Sequence, residues 1–157
     1  TRANLRNMIY WKDVPYGNGG SVVAIARDKS GKEVARHRIE TAGKAVALRI
    51  EAETPTDWKA DGMDLQYINV TVIDKKGRPV WDYNEPLTLQ MEGAARLVAL
   101  DNGDHYTDEL FHGITSKRMY QGRMQIILRS DQEAGNVTVK ISSAGLKGTL
   151  RLKTIKE

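Results

Sequence analysis

The chain has 157 residues, and 24 Lys and Arg against 20 Asp and Glu give it a mildly basic net charge of +4. It contains no cysteine, which excludes disulfides and thiolate metal sites. No apolar run approaches the ~20 residues of a membrane helix, and no block of five or six like charges marks a nucleic-acid arm. Neither a membrane nor a nucleic-acid partner is therefore predicted.

The first third of the chain predicts three short strands. Apolar residues favour a strand at Met8–Trp11, and a glycine-rich turn follows at 17–20. Val- and Ala-rich sequence predicts a strand at Ser21–Arg27, and a hairpin turn leads to a return strand at Glu33–Glu40. The pattern breaks at 41–43, which we predict as a domain boundary.

The stretch 59–81 gives the clearest strand signal of the chain. It opens with a turn signal at 61–62, and apolar residues then recur at every second position, which is the period of a half-buried strand. The alternating residues are Ile68, Val70 and Val72. A polar turn at 74–77 ends the strand, and Pro79 restricts the following segment to an edge or a strand start.

Further short strands follow the same two-residue period. They are predicted near 46–50, 87–91, 96–100, 119–120, 124–128, 137–141 and 150–152. Short strands separated by turns about every 8 to 12 residues are typical of an antiparallel β-sandwich. The predicted fold class is therefore all-β, with a sandwich at 44–157 preceded by a partial second β module at 1–43.

Polar chemistry is concentrated in the predicted loop 101–113. Its carboxylates are Asp101, Asp104, Asp108 and Glu109. They could form an acid–base pair or a calcium site, but the run 101–104 favours a turn in which Asx side chains bond to backbone amides. His105 and His112 could join Asp104 around zinc, yet this set has no fourth ligand. No catalytic residue, metal site or cofactor is predicted.

Three aromatic residues are the candidate binding residues. Trp58, Trp81 and Tyr83 lie close to predicted turns, where an exposed ring would offer a stacking surface to the apolar face of a sugar. The competing interpretation is that each packs in the core or between modules, because large aromatic side chains dominate such contacts. Packing is the favoured interpretation, and carbohydrate binding stays open.

Two blocks of sequence carry a resemblance to a known family. The first comprises Trp11-Lys12-Asp13-Val14-Pro15-Tyr16, Val22-Val23-Ala24, Gly31-Lys32-Glu33-Val34-Ala35-Arg36 and Thr41-Ala42-Gly43. It resembles an immunoglobulin-like module that follows the catalytic barrel in bacterial β-galactosidases of glycoside hydrolase family 2. The second comprises Ala60-Asp61-Gly62, Val70-Thr71-Val72, Pro79-Val80 and Leu97-Val98-Ala99-Leu100-Asp101-Asn102-Gly103-Asp104. It is similar to the next module of those enzymes and to invasin-like bacterial immunoglobulin domains.

The resemblance implies how the two modules are arranged and what they do. Residues 1–43 would end one immunoglobulin-like module, and residues 44–157 would form a complete, invasin-type immunoglobulin-like sandwich. The catalytic carboxylates of the family lie in a barrel of about 250 residues, which this chain cannot contain. The chain itself is thus expected to be non-catalytic and architectural, within a periplasmic or extracellular β-galactosidase-like enzyme.

The partners expected from this resemblance are the neighbouring modules of the same polypeptide. Self-association through 1–43 stays open, because unpaired strand edges invite pairing. Binding of glycans also stays open. Two alternative functions remain, a carbohydrate-binding module that uses exposed aromatics and an adhesin-like surface spacer.

Overall fold

The computed structural model describes residues 2–5, 8–15 and 19–156. The chain divides into two compact units, Thr1–Thr41 and Ala42–Glu157, close to the boundary predicted at 41–43. Within the described ranges no helix is long and apolar enough to span a membrane. Whether the first unit is the end of a larger immunoglobulin-like module remains a prediction.

The N-terminal unit consists of two antiparallel strand pairs. Strand β1 (Arg2–Leu5) pairs with β2 (Met8–Trp11), and β3 (Ser21–Arg27) pairs with β4 (Glu33–Glu40). The predictions of β2, β3 and β4 are confirmed, whereas β1 was not predicted. The glycine run at 17–20 falls partly outside the described residues.

The described residues of the second unit form eight strands in two antiparallel sheets. These strands are β5 (Ala47–Ala52), β6 (Leu65–Ile73), β7 (Pro86–Gly93), β8 (Ala95–Asp101), β9 (Ser116–Arg118), β10 (Arg123–Ser130), β11 (Asn136–Ser143) and β12 (Leu146–Lys153). One sheet has the order β5-β6-β10-β8 and the other the order β12-β11-β7-β9. The predicted all-β antiparallel sandwich is confirmed. The brief strand predicted at 119–120 lies instead at Ser116–Arg118.

The core forms between the inner faces of the two sheets. Along β6, buried and half-buried residues alternate without interruption, as the two-residue period predicts. In the register of β6 and β10, Val70 lies opposite Met124 and Ile68 opposite Ile126, and all four are buried. The facing sheet contributes Leu87, Leu89, Val137, Val139 and Ile141. Each such side chain stabilises the fold by about 1.5–3 kcal/mol through burial.

The turn that follows β6 is held by one buried carboxylate. Asp74 is 3% exposed, and its Oδ1 accepts hydrogen bonds from the backbone amides of Lys76 and Arg78. Its Oδ2 accepts from the amide of Gly43 at 2.8 Å and from the guanidinium of Arg78. The Arg78 guanidinium, followed by the Gly43 amide, holds the pKa of Asp74 well below its usual value. Asp74 thereby ties the start of this unit to the end of its central strand.

Candidate functional site

Trp58, the first candidate aromatic, belongs to the core. Its relative exposure is 0%, and its indole Nε1 donates a hydrogen bond to the backbone oxygen of Asp64 at 3.1 Å. The carboxylate of Asp64 accepts from the amide of Lys59, which fixes the chain next to the tryptophan. The ring therefore has no accessible face on which a sugar could stack, as the packing interpretation predicts.

Tyr83 and Trp81 differ in their exposure. Tyr83 packs against the core while its hydroxyl lies 2.8 Å from Oγ of Ser143, a buried residue of β11. Trp81 is 48% exposed, and the guanidinium carbon of Arg123 lies 4.3 Å from the centre of its ring. Packing describes Tyr83 well, whereas Trp81 is a surface residue that contacts a cation. The prediction that these aromatics bind carbohydrate therefore rests on Trp81 alone.

The segment that carries Trp81 and Tyr83 is positioned by a glycine. The amide of Gly122 donates to the backbone oxygen of Tyr83 at 2.7 Å, and the amide of Val72 donates to the backbone oxygen of Gly122 at 2.8 Å. Gly122 has a φ of 65°, and a Cβ at this position would clash with the backbone oxygen of Val80. Only glycine combines a positive φ with the absence of a Cβ, so a glycine is needed here to link the 80–84 turn to β6.

Two carboxylates and one side-chain amide of the 101–113 loop are used to build turns. Oδ1 of Asp101 accepts from the amide of Gly103, Oδ1 of Asn102 from the amide of Asp104, and Oδ1 of Asp104 from the amide of Tyr106. This is the Asx pattern that the sequence predicts at 101–104. Among the described residues, no group of three His, Cys, Asp or Glu side chains is arranged to hold a metal ion.

A buried lysine holds the far end of the same loop. Lys117 is 2% exposed, and its ammonium donates to the backbone oxygens of Glu109 at 3.1 Å and Leu110 at 3.0 Å. It also lies 4.0 Å from the centre of the Phe111 ring. Asn102 anchors the near end, because its side-chain amide donates to the backbone oxygen of Arg118 at 2.9 Å. A segment without regular secondary structure is thus fixed to β9 at two points.

An open cleft of about 420 Å³ lies beside this loop. Tyr106 and Asp108 line it from the loop, and Arg118, Tyr120 and Asn84 line it from other segments. Sequence reasoning did not identify Tyr106, Tyr120, Arg118 or Lys117 as site residues. An aromatic residue within a polar loop was the available signal for Tyr106, whereas a single lysine in a three-residue strand gives no sign that it is buried.

A family model matches the sandwich. The model of glycoside hydrolase family 2 C-terminal domain 5 matches residues 48–150, which is most of the chain. The chain belongs to this family of C-terminal domains of glycoside hydrolases. The family resemblance noted in the sequence is thereby confirmed.

Relatives place the same domain within much longer enzymes. The chain is 32% identical over 128 residues to a β-galactosidase of Bacteroides ovatus, a match that covers 82% of this chain and 15% of that protein. It is 31% identical over 111 residues to a β-glucuronidase of Formosa agariphila, covering 69% of this chain and 11% of that protein. The chain thus spans a small part of the length of these relatives.

Solved structures share the fold of this chain. A glycosyl hydrolase family 2 member from Bacteroides cellulosilyticus superimposes with a TM-score of 0.83 at 27% identity, over 95% of this chain and 19% of that one. The D00-D0 domain of intimin superimposes with a TM-score of 0.50 at 18% identity, over 90% of this chain and 66% of that one. The likeness to intimin concerns the fold alone.

Proposed function

We propose that this chain is a non-catalytic C-terminal β-sandwich portion of a bacterial family 2 glycoside hydrolase of the β-galactosidase type. The observation that carries the proposal is the match of residues 48–150 to a C-terminal domain model of that family. The small share of the B. ovatus β-galactosidase that the chain covers supports it, because the rest of such an enzyme has ample length for a catalytic barrel. A periplasmic or extracellular location is part of the same proposal.

The role of the chain is architectural, and exposed apolar side chains support this. In the N-terminal unit, Val22 and Ile39 lie opposite each other in the β3–β4 pair and are 54% and 64% exposed. Trp11 of β2 is 55% exposed. Two-stranded pairs are only marginally stable in water, so their apolar faces need a cover. Neighbouring modules of the same polypeptide are the cover that we propose, with pairing between copies as the competing possibility.

The behaviour of the carboxylates supports the non-catalytic part of the proposal. Family 2 chemistry requires two carboxylates on either side of a scissile bond. In the 101–113 loop, where carboxylates are most concentrated, Asp101 and Asp104 each accept a hydrogen bond from a backbone amide through one oxygen. These hydrogen bonds give both side chains a structural role in the loop.

An activity assay of the chain alone tests this proposal. Purified chain should release no chromophore from aryl β-galactosides or aryl β-glucuronides. Variants Asp101→Asn and Asp104→Asn serve as controls for contaminating hydrolases, because a contaminant would persist in both preparations. Turnover that is present in the native chain and lost in these variants would contradict the non-catalytic assignment.

The exposed ring of Trp81 favours a second candidate function, carbohydrate binding. Its ring is half accessible, and Arg123 over the ring adds hydrogen-bond donors beside the apolar surface. Titration with galactose-containing oligosaccharides should then quench tryptophan fluorescence, and Trp81→Ala should abolish the change. Trp58 is buried and Trp11 is exposed, so quenching that persists in Trp81→Ala would come from Trp11 and would exclude this platform.

A further inference from the structure

The open cleft beside the 101–113 loop has the size of a small-molecule site and a mostly polar lining. Its volume of about 420 Å³ lies within the range of about 300–1,000 Å³ that is usual for ligand sites. Trp81, Trp58 and Tyr83 do not line it. Nothing in the architectural role of the domain requires a cleft of this kind.

Two tyrosines provide flat surfaces at this cleft. Tyr106 is 96% exposed although the loop that carries it is tied down at both ends, and Tyr120, which also lines the cleft, is 38% exposed. An exposed aromatic ring offers an apolar face on which a ligand can stack. Both hydroxyl groups lack a hydrogen-bond partner among the described residues, so they can bond to a ligand without breaking an internal contact.

Polar groups of both kinds surround these rings. The Asp108 carboxylate is an acceptor and the Arg118 guanidinium a donor, and neither side chain has a partner within the described ranges. Asn84 accepts from the amide of Gln121 through Oδ1, which leaves its side-chain NH₂ to donate. Donors and acceptors therefore face the same space as the two tyrosine rings.

The loop that forms one wall is fixed before any ligand arrives. Successive side-chain-to-backbone bonds run from Asp101 to Glu109, whose carboxylate in turn accepts from the amide of Arg118 at 3.2 Å. Long irregular loops in compact domains are usually functional or disordered. This one is ordered by its own side chains and by buried Lys117, which lowers the entropic cost of binding.

We propose that this cleft binds a neutral pyranose saccharide. A pyranose presents an apolar face of C–H groups and a rim of hydroxyls that donate and accept, which the tyrosine rings and the mixed polar lining complement. Three carboxylates, those of Asp104, Asp108 and Glu109, line the cleft. They outnumber the Arg118 guanidinium of the lining and the Lys117 ammonium that binds the loop, so the local charge is net negative and repels an anionic uronic acid. The cleft therefore selects neutral sugars over uronates. The proposal does not depend on the architectural role.

The test is an NMR titration of the full chain labelled with ¹⁵N. The probes are galactotriose, cellotriose and mannotriose as neutral saccharides and trigalacturonate as the acidic counterpart. We expect saturable amide shifts confined to 102–109 and 118–120 with at least one neutral trisaccharide, and binding of trigalacturonate that is weaker by about tenfold or more.

Two variants separate this cleft from the Trp81 surface. Tyr106→Ala should weaken binding about tenfold without loss of fold, because the ring is almost fully exposed and supports no packing. Trp81→Ala is the matched control, because it also removes a surface aromatic residue from the same unit. It should leave the affinity for the trisaccharide unchanged. A higher affinity for trigalacturonate in Asp108→Asn than in the native chain would support the charge argument.

The outcomes that would overturn the proposal are distinct. Absence of localised shifts with all three neutral trisaccharides excludes a saccharide site and points to a protein surface as the occupant of the cleft. Shifts confined to the surroundings of Trp81 and Arg123 exclude this cleft in favour of the other site. Equal binding of trigalacturonate and galactotriose refutes selection for neutral sugars. None of these results changes the outcome of the hydrolysis assay, which tests the non-catalytic role separately.

Discussion

At the scale of single residues, we expect Asp74 to make the C-terminal unit sensitive to acid. A carboxylate whose pKa is depressed in the folded state contributes stability above its unfolded pKa, and that contribution is lost as the pH falls toward the folded pKa. The ordinary value for this group is 3.8, and the Arg78 guanidinium lowers the pKa in the fold. We therefore expect the free energy of unfolding to fall as the pH drops below about 4.

The variant Asp74→Asn tests this account by chemical denaturation at several pH values. It should destabilise the unit at pH 7, because an amide nitrogen replaces one acceptor oxygen and the charge opposite Arg78 is lost. The acid-induced loss between about pH 4 and pH 2 should also become shallower. The exposed Asp82→Asn is the matched control and should change neither quantity. An acid profile that is identical in the native chain and Asp74→Asn would refute the role of Asp74.

The two tryptophans of the C-terminal unit should differ in how much each side chain stabilises the fold. Trp58→Ala should cost about 3–5 kcal/mol of unfolding free energy, because it empties a fully buried aromatic site. Trp81→Ala should cost less than about 1 kcal/mol, since it removes an exposed cation–π contact with Arg123. Urea denaturation of both variants gives the comparison. Similar costs for the two substitutions would mean that Trp81 is covered in solution.

At the scale of elements, the hydrogen bonds that Lys117 donates hold the 101–113 loop in one conformation. Lys117→Met keeps the bulk of the side chain but leaves the backbone oxygens of Glu109 and Leu110 without their donor. We expect a loss of about 1–3 kcal/mol and faster hydrogen exchange of the Leu100 amide, which donates to the backbone oxygen of Phe111. Lys147→Met, at an exposed position, is the control. Unchanged exchange at Leu100 would show that the lysine does not hold the loop.

How well each element could be predicted depends on whether its signal is local. The strand β6 was predicted because alternation of buried and half-buried residues follows directly from the pleat. The Asx turn at 101–104 was predicted because its hydrogen bonds join residues two apart. Both are properties of a few consecutive residues.

Features created by distant residues were missed. The exposure of Trp81 depends on which side chains the fold brings beside it, and Arg123 is remote in sequence. A lysine in a strand is ordinarily a surface residue, so the burial of Lys117 follows only from the carbonyls that the loop presents. The cleft has the same origin, because its two walls come from segments that meet only in the folded sandwich.

At the scale of the whole molecule, the two units should differ in stability. The N-terminal unit exposes Val22, Ile39 and Trp11 and is close to the size at which isolated folding fails without disulfides or metals. Amide exchange should therefore be faster in residues 19–41 than in the sandwich strands, and protection should rise with protein concentration if copies pair. Equal, concentration-independent protection in a monomeric chain would mean that the N-terminal unit is a self-sufficient fold.

The central proposal is that the chain supplies architecture to a family 2 glycoside hydrolase and takes no part in its chemistry. The most direct measurement compares the whole parent enzyme with a version that lacks residues 42–157, using thermal inactivation and the kcat for a small aryl β-galactoside. Our account predicts a lower inactivation temperature and an unchanged kcat at temperatures where the truncated enzyme stays folded. A kcat reduced by orders of magnitude at such temperatures, with the inactivation temperature unchanged, would contradict it.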